Sequence, residues 1–344
     1  MKFSRLALLA CSAAPLVLAL SLPADDLSFH PSANTEVAKT LKLDVEMRIT
    51  EASATANGEP IPPEFLDSIK ENSLIANMLI GVTEKYVETK GGKPITLLRT
   101  FDTMSLDVEF GEDSNANEDF KDPEGKTVEF QWDEKEGVYT KKYKDTEGDE
   151  AELADLDPDM DLRVLLPEKK VSAGDTWEVA ASRLKPLFLP GGMITKGGGE
   201  DAGEFTKIRS ELESQFSQFL KEFKVLCTYK GTKEVGGKTV AEIEFTFDGK
   251  MRIDMGSIIE EVLTSQAPEG MPEMDIKALF GMNLKGDGTM HWNIAAGHLA
   301  KFEMKADAGL DIDVEVHAQA ADQPMDVIMT GKAEGKLEWE LAPN

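Results

Sequence analysis

Residues 300–320 read AKFEMKADAGLDIDVEVHAQA, with an apolar side chain at every even position and a polar residue or Gly at every odd position. Successive side chains of a strand point to opposite faces, so this period of two predicts a strand with one buried and one solvated face. These 21 residues would extend about 70 Å, whereas a compact domain of this chain length is about 50 Å across. The strand is therefore expected to bend or wrap.

The same strand signal recurs along most of the chain. Further stretches cover residues 41–49, 78–89, 95–110, 128–143, 241–255, 278–294 and 325–341. We therefore predict a mainly β (α+β) fold with a long, strongly curved antiparallel sheet or half-barrel. For the last hairpin, a loop of Ala321 to Pro324 would place Ala306 opposite Trp339 and Ile312 opposite Ala333. Large side chains would then face small ones, which suits a closely packed or curved face.

Three helical segments are expected near residues 60–72, 205–220 and 256–266. The clearest is an amphipathic stripe with helical spacing, formed by Phe205, Ile208, Leu212, Phe216, Phe219 and Phe223. An apolar helix stripe needs an apolar surface to cover, and the sheet supplies one. We predict that these helices cover the concave face.

The N-terminus is typical of a secretory signal peptide. Lys2 and Arg5 precede an apolar run over residues 6–22, and Pro23-Ala24 offers a cleavage point, so residues 1–24 are set apart from the fold. The protein is thus expected to be exported to the periplasm or outside the cell. Lipid attachment at Cys11 and an uncleaved anchor are the alternatives. No later stretch approaches membrane-spanning length.

The rest of the chain divides into an N-terminal half, residues 25–167, and a C-terminal half, residues 168–344, which carries the longest hairpins. Internal duplication is left open, because the halves share an outline but no residue-level repeat.

Composition and motifs exclude several functions. The net charge of −27 repels nucleic acid phosphates, so nucleic acid is excluded as a partner. No catalytic or nucleotide-binding motif is present, and the four histidines stand apart in sequence. Cys227 lies among alternating apolar residues and is expected to be a buried thiol. We therefore predict a noncatalytic protein without metal or cofactor.

Residues 155–161 contain four alternating aspartates. Asp155, Asp157, Asp159 and Asp161 have the oxygen spacing of a calcium loop, but Met160 stands where such a loop requires Gly. A solvated acidic loop is the prediction, with weak calcium binding as the alternative.

Residues 166–177 read LPEKKVSAGDTW. This segment resembles an LP-x-x-x-V-x-x-G-D-x-W segment in a group of exported bacterial proteins of unknown function. More distantly, the predicted plan is similar to the periplasmic lipoprotein carriers of the Lol system and related mycobacterial lipoproteins. The latter resemblance implies a curved antiparallel sheet that wraps around helices and encloses an apolar cavity.

Two functional hypotheses follow. The first is a binding protein for a hydrophobic or lipid-like ligand held between sheet and helices, because Met-rich apolar strand faces suit an adaptable pocket. The second is a structural or protein-interaction module of the cell envelope, with a dry core and an envelope protein as partner. For the first hypothesis, the candidate ligand-binding residues are Phe205, Phe216, Phe245, Phe247, Met290, Trp292, Phe302, Met304 and Trp339.

Overall fold

A computed structural model describes residues 24–111, 114–119, 123–192, 215, 217–257, 259–260, 274–320 and 323–343. The predicted signal peptide lies outside these residues except for Ala24. The strands are β1 (Thr35–Ala56), β2 (Glu59–Pro60), β3 (Ser73–Lys90), β4 (Lys93–Phe110), β5 (Ser114–Asp119), β6 (Thr127–Asp133), β7 (Val138–Lys144), β8 (Thr176–Val179), β9 (Lys224–Val235), β10 (Lys238–Asp254), β11 (Met274–Asn293), β12 (His298–Ala320) and β13 (Gln323–Pro343). The helices are α1 (Pro63–Lys70), α2 (Lys185–Phe188) and the 3-10 helices η1 (Glu150–Leu153), η2 (Arg163–Leu165) and η3 (Ala181–Arg183).

The described strands form one antiparallel sheet in the order β7-β6-β4-β3-β1-β13-β12-β11-β10-β9-β8, with β2 paired to β1 and β5 to β4. The prediction of a mainly β, antiparallel fold is confirmed. Each side of the sheet follows chain order, and the first and last strands meet in its centre, where Lys39 lies opposite Pro343. The sheet is therefore two meanders joined by the β1–β13 pair.

Tight turns keep neighbouring strands in register. Gly91 and Gly92, with φ of 60° and 75°, connect β3 to β4 in a hairpin turn. Gly236 and Gly237, with φ of 58° and 73°, connect β9 to β10 in the same way. Positive φ at both central residues matches the twist of the flanking strands, and Gly adopts it without strain.

The sheet is not closed among the described residues, because β7 and β8 lie at opposite ends of the strand order. The chain between them, residues 145–175, must therefore cross one face of the sheet. This crossover buries leucines on that face: Leu153, Leu156, Leu162 and Leu165 are at most 3% exposed. The predicted boundary between the halves at residue 167 falls within this crossover and stays a prediction.

We call the covered side of the sheet the inner face. It carries the hydrophobic core, to which β1, β3, β4, β9, β10, β11, β12 and β13 all contribute. The alternation predicted for residues 300–320 is confirmed, since Phe302 and Met304 are buried and Glu303 and Lys305 are exposed. Cys227 is also fully buried, as predicted.

The predicted register of the last hairpin is wrong by two residues. Trp339 lies opposite Met304, and Ile312 lies opposite Gly331. Pairing continues to Ala320 opposite Gln323, so two residues separate the strands instead of the predicted four. The shorter turn moves every pair, but a shift of two preserves the face on which each side chain lies.

The predicted helices are found in part. Residues 63–70 are helical, with Phe65 67% exposed and Leu66 partly buried. Of the segment 205–220, the structure describes residue 215 and residues 217–220, which are helical and include the buried Phe219. Residues 256, 257, 259 and 260 are helical, and 261–266 lie outside the described residues. A helical cover over the whole inner face is not established.

Candidate functional site

The described candidate ligand-binding residues lie together, but inside a packed core. Phe245 and Phe302 stack with ring centroids 5.5 Å apart and planes 9° from parallel. The set Phe245, Phe247, Met290, Trp292, Phe302, Met304 and Trp339 is 0–5% exposed and belongs to one core cluster. Phe205 and Phe216 lie outside the described residues. These side chains fill one end of the inner face rather than line an open pocket there.

The aromatic rings fit because glycine lies opposite them. Phe245 pairs with Gly288 and Phe247 with Gly286 on β11. A side chain at Gly288 would overlap the Phe245 ring and the main chain of Glu303. The rings therefore occupy the space that side chains on β11 would otherwise take.

The inner face beyond this core is covered less completely, although Ala278 and Ala318 near the far ends of β11 and β12 are buried. The strands run on past the core, and their inner positions remain apolar on β1, β11, β12 and β13. We call this region the distal inner face and represent it by Met47, Phe280, Met282, Leu310, Ile312 and Met329. All six are partly or well exposed, and Met329 reaches 42%.

Burial thus changes along single strands. On β12, Met304 is 1% exposed, whereas Leu310 and Ile312, on the same face, are partly exposed. The inner positions of β12 and β13 in this region carry no charge. The exposed apolar side chains are interspersed with buried ones, including Ala278 and Ala333. Exposed apolar surface larger than a few hundred Å² often marks an interaction site.

A cluster of buried charges joins the crossover to the sheet. The Nζ of Lys39 donates to Glu84 Oε2 at 2.7 Å and to Tyr86 Oη at 2.8 Å, and lies 2.9 Å from Asp161 Oδ1. Arg99 donates from Nε and Nη2 to Glu84 Oε1 at 2.8 and 2.6 Å. We call Lys39, Glu84, Arg99 and Asp161 the buried ion cluster. Its two cations and two anions balance, so no net charge is buried.

The remaining hydrogen bonds of the cluster reach the crossover and β12. Arg99 Nη1 donates to the carbonyls of Asp157 at 2.9 Å and Gly191 at 3.2 Å. Asp161 accepts from the hydroxyl of Tyr86 at 2.5 Å and from the main-chain N–H of Leu299 at 3.0 Å. Each member of the cluster bonds to a group on another strand or on the crossover, so the cluster holds these elements together.

The pKa values follow from burial and pairing. Burial alone raises the pKa of Glu84, but the charges of Lys39 and Arg99 outweigh it and hold that pKa below its ordinary value. Burial likewise opposes ionisation of Asp161, yet the charge of Lys39 and the Tyr86 hydroxyl lower the pKa of its carboxyl. Burial by itself lowers the pKa of Lys39, and the two carboxylates raise it overall. All three groups are charged at neutral pH.

We expect acid to destabilise the protein through this cluster. The depressed pKa values of Glu84 and Asp161 contribute stability that is present above their unfolded values, near pH 4, and lost as the pH falls through the folded values. Asp159 opposes this trend, because burial raises the pKa of its carboxyl. Urea unfolding between pH 7 and pH 2.5 measures the net change in the free energy of unfolding. Glu84→Gln should show a smaller acid-dependent loss than the unmodified protein, and equal losses would contradict the assignment.

The prediction of a solvated acidic loop at residues 155–161 is wrong. Asp159 is 6% and Asp161 is 1% exposed, because this stretch belongs to the crossover that passes over the inner face. Asp159 accepts the N–H of Asp161 at 3.0 Å and pairs with Arg163 at 3.1 Å. The carboxylates therefore meet donors of the chain itself. In the part of the chain that the structure describes, no group of three or more His, Cys, Asp or Glu could hold a metal ion.

Sequence reasoning missed the buried ion cluster although its signal is present. Lys39, Glu84 and Arg99 each occupy an inner position of a strand, flanked two residues away by apolar side chains that are buried. Charges of both signs at inner positions of neighbouring strands indicate buried pairing.

The segment that carries the sequence resemblance forms a turn that starts β8. Gly174, with φ of 95°, donates its N–H to the carbonyl of Tyr229, and Tyr229 donates back to Asp175. The Asp175 carboxylate accepts the N–H of Ser172 at 2.8 Å. The indole of Trp177 donates to the carbonyl of Leu165 at 3.1 Å. In this chain the Gly, Asp and Trp of the motif fasten the end of the crossover to the sheet edge.

The outer face has a shallow depression of about 480 Å³ where Gly281 lacks a side chain. Four of the charged groups that line it form pairs, Arg252 with Asp313 at 3.3 Å and Lys332 with Glu51 at 2.8 Å. Paired and exposed charges offer little to a ligand beyond what water offers. The depression therefore ranks below the distal inner face as a candidate site.

No described helix is long and apolar enough to cross a membrane.

Comparisons with known proteins assign no family. No protein-family model and no curated protein matches the chain. A mutant porin of Rh. blastica is 6% identical over 89% of this chain and 100% of that chain, with a TM-score of 0.16. An outer membrane channel from Pseudomonas putida F1 is 9% identical over 92% of this chain and 99% of that chain, with a TM-score of 0.15. Similarities this weak carry no argument about fold or function.

Proposed function

We propose that this is an exported, noncatalytic binding protein for a hydrophobic or lipid-like ligand, with the distal inner face as the binding surface. The sheet curves around the ligand as a half-barrel, with helices completing the cover. The observation that carries the proposal is the change in burial along β12 and β13, from a packed core to apolar side chains that remain partly exposed. An apolar ligand gains free energy by removing such surface from water.

The side chains of the distal inner face suit this role. Met47, Met282 and Met329 are unbranched and flexible, so they adapt to apolar ligands of differing shape. Gly331 on β13 leaves room beside Ile312, since the nearest atom to its absent Cβ is 3.4 Å away. The candidate residues deep in the packed core, such as Phe245, Trp292 and Phe302, would then support the site without contacting the ligand.

Native mass spectrometry on protein purified gently from a bacterial periplasm, with its solvent extract analysed alongside, tests the proposal. We expect an added mass of lipid size that the solvent removes. Ile312→Glu, which places a charge on the distal inner face, should abolish the added mass and the binding of N-phenyl-1-naphthylamine, an uncharged apolar dye. Burying an unpaired carboxylate against an apolar ligand is unfavourable, and Ile312 is exposed enough for the variant to fold.

Thr330→Glu is the matched control, because Thr330 is exposed on the outer face of the neighbouring strand. This variant should keep its ligand. A bare unmodified protein that also fails to bind the dye, or an Ile312→Glu variant that retains its ligand, would refute the proposal.

The dry core supports the second function, a structural or protein-interaction module of the envelope. The full burial of Phe302, Met304 and Trp292 shows that one end of the inner face holds no open cavity. A bare protein in the mass spectrum would favour this module, and pull-down experiments for an envelope partner would follow.

A further inference from the structure

Two buried indole N–H groups have no hydrogen-bond acceptor among the described residues, those of Trp292 and Trp339. A buried Trp N–H usually finds an acceptor, because leaving it unpaired away from water is unfavourable. Their surroundings differ. Trp292 lies deep in the core, opposite Leu299 and Ala241, both of which are fully buried.

Trp339 instead lies where the packed core meets the distal inner face. Its partners across the sheet are Met304 on β12 and Leu43 on β1. Leu43 is only partly buried, as is Leu337, the next inner residue along β13. Two residues further on, Gly335 lies opposite Met47 of the distal inner face. The unpaired donor is thus about 13 Å along the strand from that surface.

We infer that the Trp339 indole N–H is the polar anchor for an acyl lipid whose ester or amide carbonyl accepts its hydrogen bond. This inference rests on the proposed function and names the ligand class for the same surface. The acyl chain would extend from Trp339 over Leu337 toward the distal inner face. The flexible side chain of Met304, directly opposite, can move to admit the carbonyl.

The acceptor must be uncharged. The inner positions of β13 near Trp339 carry no cation, and the charge of Lys39 is already balanced by Glu84 and Asp161. A carboxylate held by one neutral N–H in apolar surroundings would be strongly disfavoured, whereas a carbonyl that gains one hydrogen bond is not.

The test compares three sixteen-carbon probes carried on cyclodextrin, each competing with N-phenyl-1-naphthylamine: methyl palmitate, hexadecane and palmitate. We expect methyl palmitate to bind about 2- to 13-fold more tightly than hexadecane, the range of one neutral hydrogen bond. Trp339→Phe keeps an aromatic ring but removes the donor. Its affinity for methyl palmitate should fall by that factor while its affinity for hexadecane is unchanged.

Trp292→Phe is the matched control and should change neither affinity, since its indole lies in the closed core. Equal binding of methyl palmitate and hexadecane, parallel losses for both probes in Trp339→Phe, the same selective loss in Trp292→Phe, or tighter binding of palmitate than of its ester would overturn the inference. In each of these cases the proposed function stands. If neither the dye nor any probe binds, the proposed function itself fails.

Discussion

Lys39→Met is expected to lower the free energy of unfolding by about 3–5 kcal/mol, because it leaves Glu84 and Asp161 buried with only Arg99 to balance them. That loss is a large share of the roughly 5–15 kcal/mol typical of a folded protein. Urea unfolding followed by tryptophan fluorescence measures it. Lys42→Met supplies the control on the same strand, where the side chain is exposed and a change within about 0.5 kcal/mol is expected.

A double variant separates charge balance from lost packing. Adding Glu84→Gln to Lys39→Met leaves one cation, Arg99, and one anion, Asp161, so the cluster again buries no net charge. The double variant should therefore be more stable than Lys39→Met alone, as coupled sites require. If the losses of unfolding free energy measured for Lys39→Met and Glu84→Gln simply add in the double variant, the buried ion cluster does not act as a unit.

Gly288→Ala is expected to lower the free energy of unfolding by about 3 kcal/mol, the upper end of typical overpacking effects. The added methyl group would overlap the Phe245 ring and the main-chain oxygen of Glu303, and a backbone neighbour cannot rotate away. The displaced ring would also lose its stacking on Phe302. Thermal and urea unfolding both report the change.

Gly81→Ala is the control, and it is not expected to lower the free energy of unfolding. Gly81 also lies within a strand, but its nearest neighbour would be Thr103 Cβ at 3.5 Å, an ordinary contact. Its stability should stay unchanged or rise by up to about 1 kcal/mol, since Ala restricts the unfolded chain. Similar losses in both variants would mean that glycine in strands, and not the ring over Gly288, decides the effect.

The faces of the strands could be predicted from sequence, and their contacts only in part. The period of two assigns Phe302, Met304 and Ile312 to one face, and the structure agrees. The register depends on a turn of two residues, and a shift of two leaves the pattern of apolar residues unchanged. Alternation therefore specifies a face more firmly than it specifies a partner.

The candidate site shows the same limit. Phe245 and Phe302 are indeed neighbours, but whether they line a cavity depends on what fills the space above them. The Phe245 ring fills the space over Gly288, and leucines of a crossover with little regular secondary structure belong to the same buried core. Neither a cross-strand glycine nor an irregular segment produces a periodic signal.

The burial of the crossover is hard to predict from sequence for a related reason. Its acidic residues suggest solvent exposure when residues 155–161 are considered alone. Asp161 is buried because Lys39 lies within reach, 122 positions earlier in the chain. Pairing over such separations becomes visible only when charges at inner strand positions are compared between distant strands.

The central pairing of β1 with β13 also determines when this protein can fold. Lys39 of β1 pairs with Pro343 of β13, so the two parts of the described sheet stay unconnected until β13 has been made. Contacts between residues so distant in sequence form slowly, because a very long loop must close first. A chain that ends before β13 would present β1 and β12 as two long, unpaired strand edges, which are sites of aggregation. Folding of the complete sheet therefore depends on the synthesis of β13.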